Sequence, residues 1–243
     1  MYLLGDIHGD FNVISYFAQD NANKDPKTLI QVGDFGAGFR KHFLDDMDYL
    51  NNILSEFNVT LYVIRGNHDD PKFFNGEYNW SNIKLLPDYT VLFIEGRRIL
   101  FIGGATSIDR LQRIPTVSWW EDEPFNLDVD KLSTYEDIDM VITHTSPKFA
   151  HPIGFNNLVM TYAKMDLKLL NDLTNEREAL SITYQTLIEK NKITKWFYGH
   201  FHDTEITRYE NTDFHLLGIN FIHQLWVKNN KKNKNRWVHY LVF

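Results

Sequence analysis

Cysteine is absent from this 243-residue chain. Without a thiol, the protein can form no disulfide bond and has no thiolate with which to hold a metal ion. A metal site in this chain must therefore be built from carboxylate, amide and imidazole groups. The sequence offers ten histidines for that purpose.

Long apolar runs are also missing. No stretch approaches the roughly 20 consecutive apolar residues that a membrane-spanning helix needs. The first residues do not combine a basic region with a long apolar run, so we expect no signal peptide and a cytoplasmic protein. No internal repeat or break in composition divides the chain, and we expect residues 1–243 to form one domain.

The chain has no excess of positive charge. Its formal net charge is −7, which argues against broad nonspecific binding to nucleic acid but leaves room for a local basic groove. The one basic, asparagine-rich run, at 228–236, lies between two predicted strands. We interpret it as a solvated hairpin loop in preference to a nucleic-acid patch.

What the sequence does contain is a series of short apolar strands that end in polar loops. Strands at 2–4, 28–32 and 59–64 alternate with helical patterns at 11–20 and 41–57, which predicts parallel βαβ units. Each strand runs into a turn that carries glycine or threonine. The polar residues at these strand ends are Asp6 with His8, Asp34, Asn67 with His68, His144, and His200 with His202.

The remaining segments give a coarser prediction. Three short strands within residues 83–102 read as an antiparallel meander, and 108–127 reads as an irregular surface excursion. The helical pattern at 163–190 contains Asn175 and Glu178 at the spacing of a capping box, which predicts two helices. Beyond residue 205 the pattern alternates as strands.

The strand-end side chains should converge on one edge of a sheet, where open α/β folds bind ligands. They are too many for one tetrahedral ion. One aspartate shared between two ions would divide the set into two sites that keep positions for water. Two cations roughly 3.5–4 Å apart can clamp an in-line displacement at phosphorus.

In type and order, these motifs resemble those of the calcineurin-like metallophosphoesterases. The resemblance runs from Gly5-Asp6-Ile7-His8-Gly9 to Gly199-His200-Phe201-His202 and covers most of the chain. It implies an α/β fold, a four-layer αββα sandwich of two mixed β-sheets flanked by helices. It also implies a hydrolase that cleaves phosphate esters by attack of a hydroxide bridging two metal ions.

The resemblance further implies a role for each strand-end residue. The expected ligands are Asp6, His8 and His202 for the first ion, Asn67, His144 and His200 for the second, and Asp34 as the bridge. His68 would stand beside the metals as proton donor to the leaving oxygen. Two divalent cations are expected, Mn first, with Fe or Zn as alternatives.

The chain departs from the protein Ser/Thr phosphatases of this superfamily. Their second motif continues into Asp-Arg-Gly, whereas here Phe35 and a glycine follow Asp34. This puts a protein phosphatase role in doubt and leaves the partner of His68 open, with Asp69 as one candidate. Arg65 is a weak candidate for binding phosphate, and a buried ion pair is the alternative role for it. Phe35 is a weak candidate for packing against a ring of the substrate.

The 108–127 excursion adds candidates for a substrate mouth. Its arginines and tryptophans could face the substrate, although paired tryptophans more often serve packing. These candidates are Arg110, Arg113, Trp119 and Trp120.

The substrate class stays open at this stage. The expected partner is a small phosphate ester, either a phosphodiester or a phosphomonoester, and the missing Asp-Arg-Gly shifts the expectation towards diesters. One alternative is a nuclease, which would need a continuous basic groove. Another is a non-catalytic interaction module on the same fold, which should show gaps among the ligands, and this sequence has none.

Overall fold

A computed structural model of the chain describes residues 1–22, 25–150, 155–225 and 237–239. Its first sheet has six strands, four of them parallel neighbours. These strands are β1 (Tyr2–Leu4), β2 (Lys27–Gln31), β3 (Val59–Val63), β4 (Ile83–Leu85), β11 (Phe221–Gln224) and β12 (Trp237–His239). Their spatial order is β12-β11-β1-β2-β3-β4, and β11 runs antiparallel to both of its neighbours.

The second sheet also has six strands and is mixed. They are β5 (Thr90–Ile94), β6 (Arg97–Ile102), β7 (Met140–Thr143), β8 (Lys195–Tyr198), β9 (Glu205–Tyr209) and β10 (Thr212–Leu216). Their order is β5-β6-β7-β8-β10-β9, with parallel pairing from β6 to β10 and an antiparallel strand at each edge.

Helices cover the outer faces of both sheets. The described helices are α1 (Asn12–Asp20), α2 (Phe43–Glu56), α3 (Val129–Ser133), α4 (Asn157–Ala163) and α5 (Leu169–Ile188), with short 3₁₀ turns at Pro71–Phe74 and Arg110–Gln112. Among the described residues, no helix combines the length and the apolar character that crossing a membrane requires.

The alternation of side chains along each strand creates the layers, because successive residues point to opposite faces. In β1, Leu4 packs with α1 and α2, whereas Leu3 packs between the two sheets. In β6, Phe101 faces the inter-sheet layer and Leu100 packs beneath α5. The predicted four-layer αββα sandwich of two mixed sheets is therefore confirmed.

Two local predictions were wrong. β4 does not belong to a three-stranded meander, because it pairs in parallel with β3 in the first sheet and only β5 and β6 form an antiparallel hairpin. The second is the capping box, because Asn175 and Glu178 lie inside the continuous helix α5. Leu180, after the pair, packs on the second sheet, and Leu173, before it, is also buried, so the helix continues through both residues. The predicted hairpin loop at 228–236 lies outside the described residues.

Candidate metal centre

The polar side chains at the strand ends meet at one edge of the sandwich. They follow β1, β2 and β3 of the first sheet and β7 and β8 of the second. His202 Nε2 lies 3.4 Å from a carboxylate oxygen of Asp6 and 3.1 Å from Nε2 of His8. His144 Nε2 lies 3.1 Å from Oδ1 of Asp34.

These side chains form two groups that share Asp34. The first group is Asp6, His8, Asp34 and His202, and the second is Asp34, His144 and His200; within each, the donor atoms lie within 4.8 Å of one another. The amide oxygen of Asn67 joins the second group, 2.9 Å from His200 Nδ1 and 3.2 Å from His144 Nε2. Carboxylate, amide and imidazole donors that face each other in this way fit two divalent cations.

Glycines allow the strand ends to come this close. A Cβ added at Gly199 would lie 2.0 Å from Oδ1 of Asp6, and one at Gly66 would lie 2.2 Å from Oδ1 of Asp34. Real atoms cannot occupy those positions. The glycines beside the polar residues are therefore required for the assembly of the cluster.

Several of the candidate ligands have a left-handed backbone conformation. The φ angles are 46° for His8, 56° for Asp34, 69° for His200 and 55° for His202. This region is uncommon for residues other than glycine, and such strain concentrates at functional sites. The loops here hold side chains in directions that a relaxed strand end would not give them.

Hydrogen bonds outside the cluster orient two of its members. Nδ1 of His144 lies 2.8 Å from the carbonyl oxygen of Val32, which can only accept, so Nδ1 donates to it and Nε2 faces the cluster. The amide nitrogen of Asn67 donates to Oγ of Ser107 at 3.0 Å, which turns its oxygen towards the histidines. Contacts of this kind fix the geometry of metal ligands.

Asp69 anchors the loops and does not contact His68 as a partner. Its buried carboxylate accepts hydrogen bonds from the backbone N–H groups of Phe35, Gly36, Ala37 and Gly66, at 2.7–3.1 Å. It thereby ties the loop after β2 to the loop after β3. The candidate pairing of Asp69 with His68 is replaced by this structural role.

The histidines of the cluster differ in protonation. Burial lowers the pKa values of His8, His200 and His202, whereas at His144 the effect of burial is outweighed by the carboxylate of Asp34, which raises the pKa of His144 to about 10. An imidazole binds a metal in its neutral form. At neutral pH the rings of His8, His200 and His202 are therefore ready to act as ligands, and His144 would release a proton when a cation binds.

His68 stands beside the cluster and is paired with an arginine. Its backbone N–H donates to Asp34 at 2.8 Å, and its Nε2 lies 2.7 Å from Nη2 of Arg113. Burial lowers the pKa of His68 to about 4, and the charge of Arg113 acts in the same direction, while Asp34 opposes them. His68 is therefore neutral at pH 7 and accepts a hydrogen bond from Arg113, which also forms an ion pair with Asp109 at 2.7 Å.

Two weak substrate-binding candidates lie elsewhere. Phe35 is fully buried and packs against Phe11 in the hydrophobic core, so its ring offers no surface to a substrate. Arg65 is also buried. It forms an ion pair with Asp88 at 2.7 Å and donates to the carbonyl oxygen of Glu123. This buried ion pair is the alternative to phosphate binding that the sequence left open for Arg65.

The segment 108–127 supplies only some of the residues that were expected to line a substrate mouth. Arg113 is the member that reaches the cluster. Arg110 instead binds Asp166 and Asp172 at 2.5 and 2.6 Å. Trp120 is buried, with its ring edge against Phe39.

A cavity of about 480 Å³ opens onto the cluster. Its inner end is lined by Asp34, Asn67, His68, His200 and His202, with Arg113 beside them. Part of α4 lines its outer end.

The family model for calcineurin-like phosphoesterases matches residues 1–204. No curated protein matches the sequence. Among solved structures, a putative 5'-nucleotidase from Staphylococcus aureus shares 14% identity at a TM-score of 0.45, over 92% of this chain and 50% of its own. The chain thus spans half the length of that protein.

Two further solved structures are similar over most of both chains. An archaeal phosphodiesterase shares 11% identity at a TM-score of 0.43, over 98% of this chain and 99% of its own. Wild-type Vps29 from Entamoeba histolytica, complexed with zinc, shares 15% identity at a TM-score of 0.38, over 93% and 86%. The family model, which covers well over half of the sequence, decides the assignment: the chain belongs to the calcineurin-like phosphoesterase family.

Proposed function

We propose that the protein hydrolyses small phosphate esters at a centre of two divalent cations. The observation that carries this proposal is the position of Asp34, which belongs to both groups of candidate ligands. Asp6, His8 and His202 would hold one cation with it, and Asn67, His144 and His200 the other. Mn²⁺ is the first candidate, with Fe or Zn as alternatives, because the donors are oxygen and imidazole nitrogen.

When bound, the cations supply Lewis acidity towards the phosphoryl oxygens and lower the pKa of water. The chain's own contribution starts with Arg113, whose guanidinium donates to His68. An anionic phosphoryl oxygen is a stronger acceptor than a neutral imidazole. Arg113 would therefore turn to the phosphate, and the freed Nε2 of His68 would take up a proton from water and pass it to the leaving oxygen.

The charge around the cavity supports a preference for diesters. Arg113 and Arg177 bring two positive charges to the lining. Asp109 and Asp203, which also line the cavity, offset them. Arg65, the other candidate for binding phosphate, is bound to Asp88. A diester carries one negative charge and needs less neutralisation than a monoester dianion. We expect small diesters to be turned over at least as well as matched monoesters.

The complete ligand set also favours an enzyme over a non-catalytic module. Such a module would be expected to have lost one or more ligands. Here every candidate ligand lies in one of the two groups or, for Asn67, against the second.

Metal removal followed by reloading tests the proposal. Protein stripped with a chelator should be inactive, should regain activity best with Mn²⁺, and should bind two equivalents by calorimetry. The kcat/KM values for bis(4-nitrophenyl) phosphate and 4-nitrophenyl phosphate then compare diester with monoester under one metal condition. Only trace binding with no gain from Mn²⁺ would overturn the two-metal centre, and a strong monoester preference would change the assignment to a phosphomonoesterase.

A further inference from the structure

The cavity that opens onto the cluster of candidate ligands has many apolar side chains at its outer end. We use "apolar wall" for six of the hydrophobic side chains that line this end. They are Ile108, Leu158, Val159, Tyr162, Leu173 and Phe201. Leu158 is 56% exposed, so this surface faces solvent.

Helix α4 presents one side to the cavity. Leu158, Val159 and Tyr162 lie at positions i, i+1 and i+4, which share a helix face, and all three line the cavity. Met160, on the same helix, is 43% exposed and lies outside this lining. Apolar side chains are therefore present on both sides of α4, but only one set faces the cluster.

Ion pairs fix the wall relative to the cluster. Arg110 binds Asp166, just after α4, and Asp172, at the beginning of α5. The loop that carries Arg110 also carries Arg113, which contacts His68. One loop therefore carries both Arg113, which would bind a phosphoryl group, and Arg110, whose ion pairs hold α4 and α5 in place.

We infer that the apolar wall is a subsite for an aromatic or bulky apolar ester group of the substrate, and this inference rests on the proposed function. A phosphoryl group at the cluster fills only a small part of about 480 Å³. Its ester group must extend into the rest of the same cavity, where it meets leucine, valine and aromatic side chains. Polar side chains also line the cavity, among them Asn156, Arg177 and Asp203. A ring placed against the wall would, however, bury apolar area, which a sugar or another polyol would not.

Phosphonates test the subsite without any turnover. Phenylphosphonate and methylphosphonate present the same anion to the metals and differ only in the group that would reach the wall. Calorimetry with the Mn²⁺-loaded protein should find phenylphosphonate bound roughly 10-fold more tightly, the usual effect of filling a hydrophobic pocket. Equal affinities would overturn the subsite.

A pair of serine substitutions on α4 locates the effect. Leu158→Ser should remove most of the preference for phenylphosphonate and leave methylphosphonate binding unchanged, because only the ring reaches the wall. Met160→Ser is the matched control, since it removes an exposed apolar side chain from the same helix outside the cavity, and it should change neither affinity. Equal effects of the two substitutions would overturn the assignment to this face.

Turnover measured in parallel separates this inference from the function on which it rests. Wild-type protein that hydrolyses bis(4-nitrophenyl) phosphate but binds the two phosphonates equally would retain the function and lose the subsite. Protein that binds phenylphosphonate more tightly through Leu158 but turns over no ester would retain the subsite and lose the function. Failure to bind either phosphonate together with no turnover of any ester would overturn both.

Discussion

The ligand loops and the apolar wall border the same cavity but are built in opposite ways. Asp6 and Asp34 are almost completely buried, and their loops are fixed by glycines and backbone hydrogen bonds. Leu158 on the wall is 56% exposed, and the wall's position depends on side-chain ion pairs of Arg110. The first region tolerates almost no change of shape, whereas the second can change its surface without disturbing the fold.

We expect the ligand loops to determine the reaction and the apolar wall to determine which ester is preferred. Substitutions in the ligand loops should abolish the reaction or unfold the loops. Substitutions on the wall should alter which ester is preferred while the metals stay bound. Four substitutions test that division, from the largest expected effect to the smallest.

Asp34→Asn should have the largest effect, because it removes the charge that both metal groups share. We expect both cations to bind more weakly and kcat/KM to fall by roughly 10³-fold or more, which corresponds to the several kcal/mol that metal ions supply. Metal content after dialysis and kcat/KM are the measurements. Asp20→Asn, at the exposed end of α1, is the control. Full metal content in Asp34→Asn would remove its bridging role.

His68→Asn should separate proton transfer from metal binding. We expect kcat to fall by about 10²–10⁴-fold for esters of poor leaving groups, the usual value of a positioned general acid. The fall should be smaller for nitrophenyl esters, whose leaving group needs no proton, and metal content should not change. His42→Asn, an exposed histidine beside Asp45, serves as the control. Equal losses for good and poor leaving groups would exclude the acid role.

Asp69→Asn should destabilise the ligand loops although Asp69 is not a candidate ligand. An amide cannot accept from all four N–H groups that the carboxylate serves, so at least one buried donor loses its partner. We expect the free energy of unfolding to fall by about 1–3 kcal/mol. Urea unfolding of the metal-free protein measures this, with Asp10→Asn as the control. An unchanged midpoint would show that the anchor is dispensable.

Arg110→Gln should have the smallest effect, and it should be confined to the wall. Losing partly exposed ion pairs costs at most about 1 kcal/mol, or roughly 5-fold in affinity. We expect that loss for phenylphosphonate, with unchanged metal content. Lys148→Gln breaks a more exposed pair with Glu178 and is the control. A loss of metal from Arg110→Gln would contradict the proposed independence of the two regions.

The sequence predicted that the candidate ligands would lie together, because each of them lies within a few residues of a strand end. His144 follows a strand in which every residue is buried, and Asp6 and Asp34 each come directly after a glycine. Since the parallel strands end at one edge, local patterns were sufficient to place these side chains together. The layered fold followed from the same alternation of strands and helices.

What the sequence left open depends on contacts between distant residues. Arg113 meets His68 across 45 positions, and nothing local distinguishes it from Arg110. β4 has the pattern of any short strand, which does not specify the sheet it joins. Asn175 and Glu178 have the spacing of a cap, but the helix has buried side chains both before and after them, and their burial overrides that signal.

Asp69 also has a consequence for how this protein would appear in a genetic screen. A search for inactive variants would recover this position beside the metal ligands, because the loops on either side depend on one carboxylate. Read without the structure, such a result would add Asp69 to the list of residues that hold the ions. Selection for restored activity by second-site changes would correct that reading, since a lost anchor can be compensated by new packing elsewhere and a lost ligand cannot.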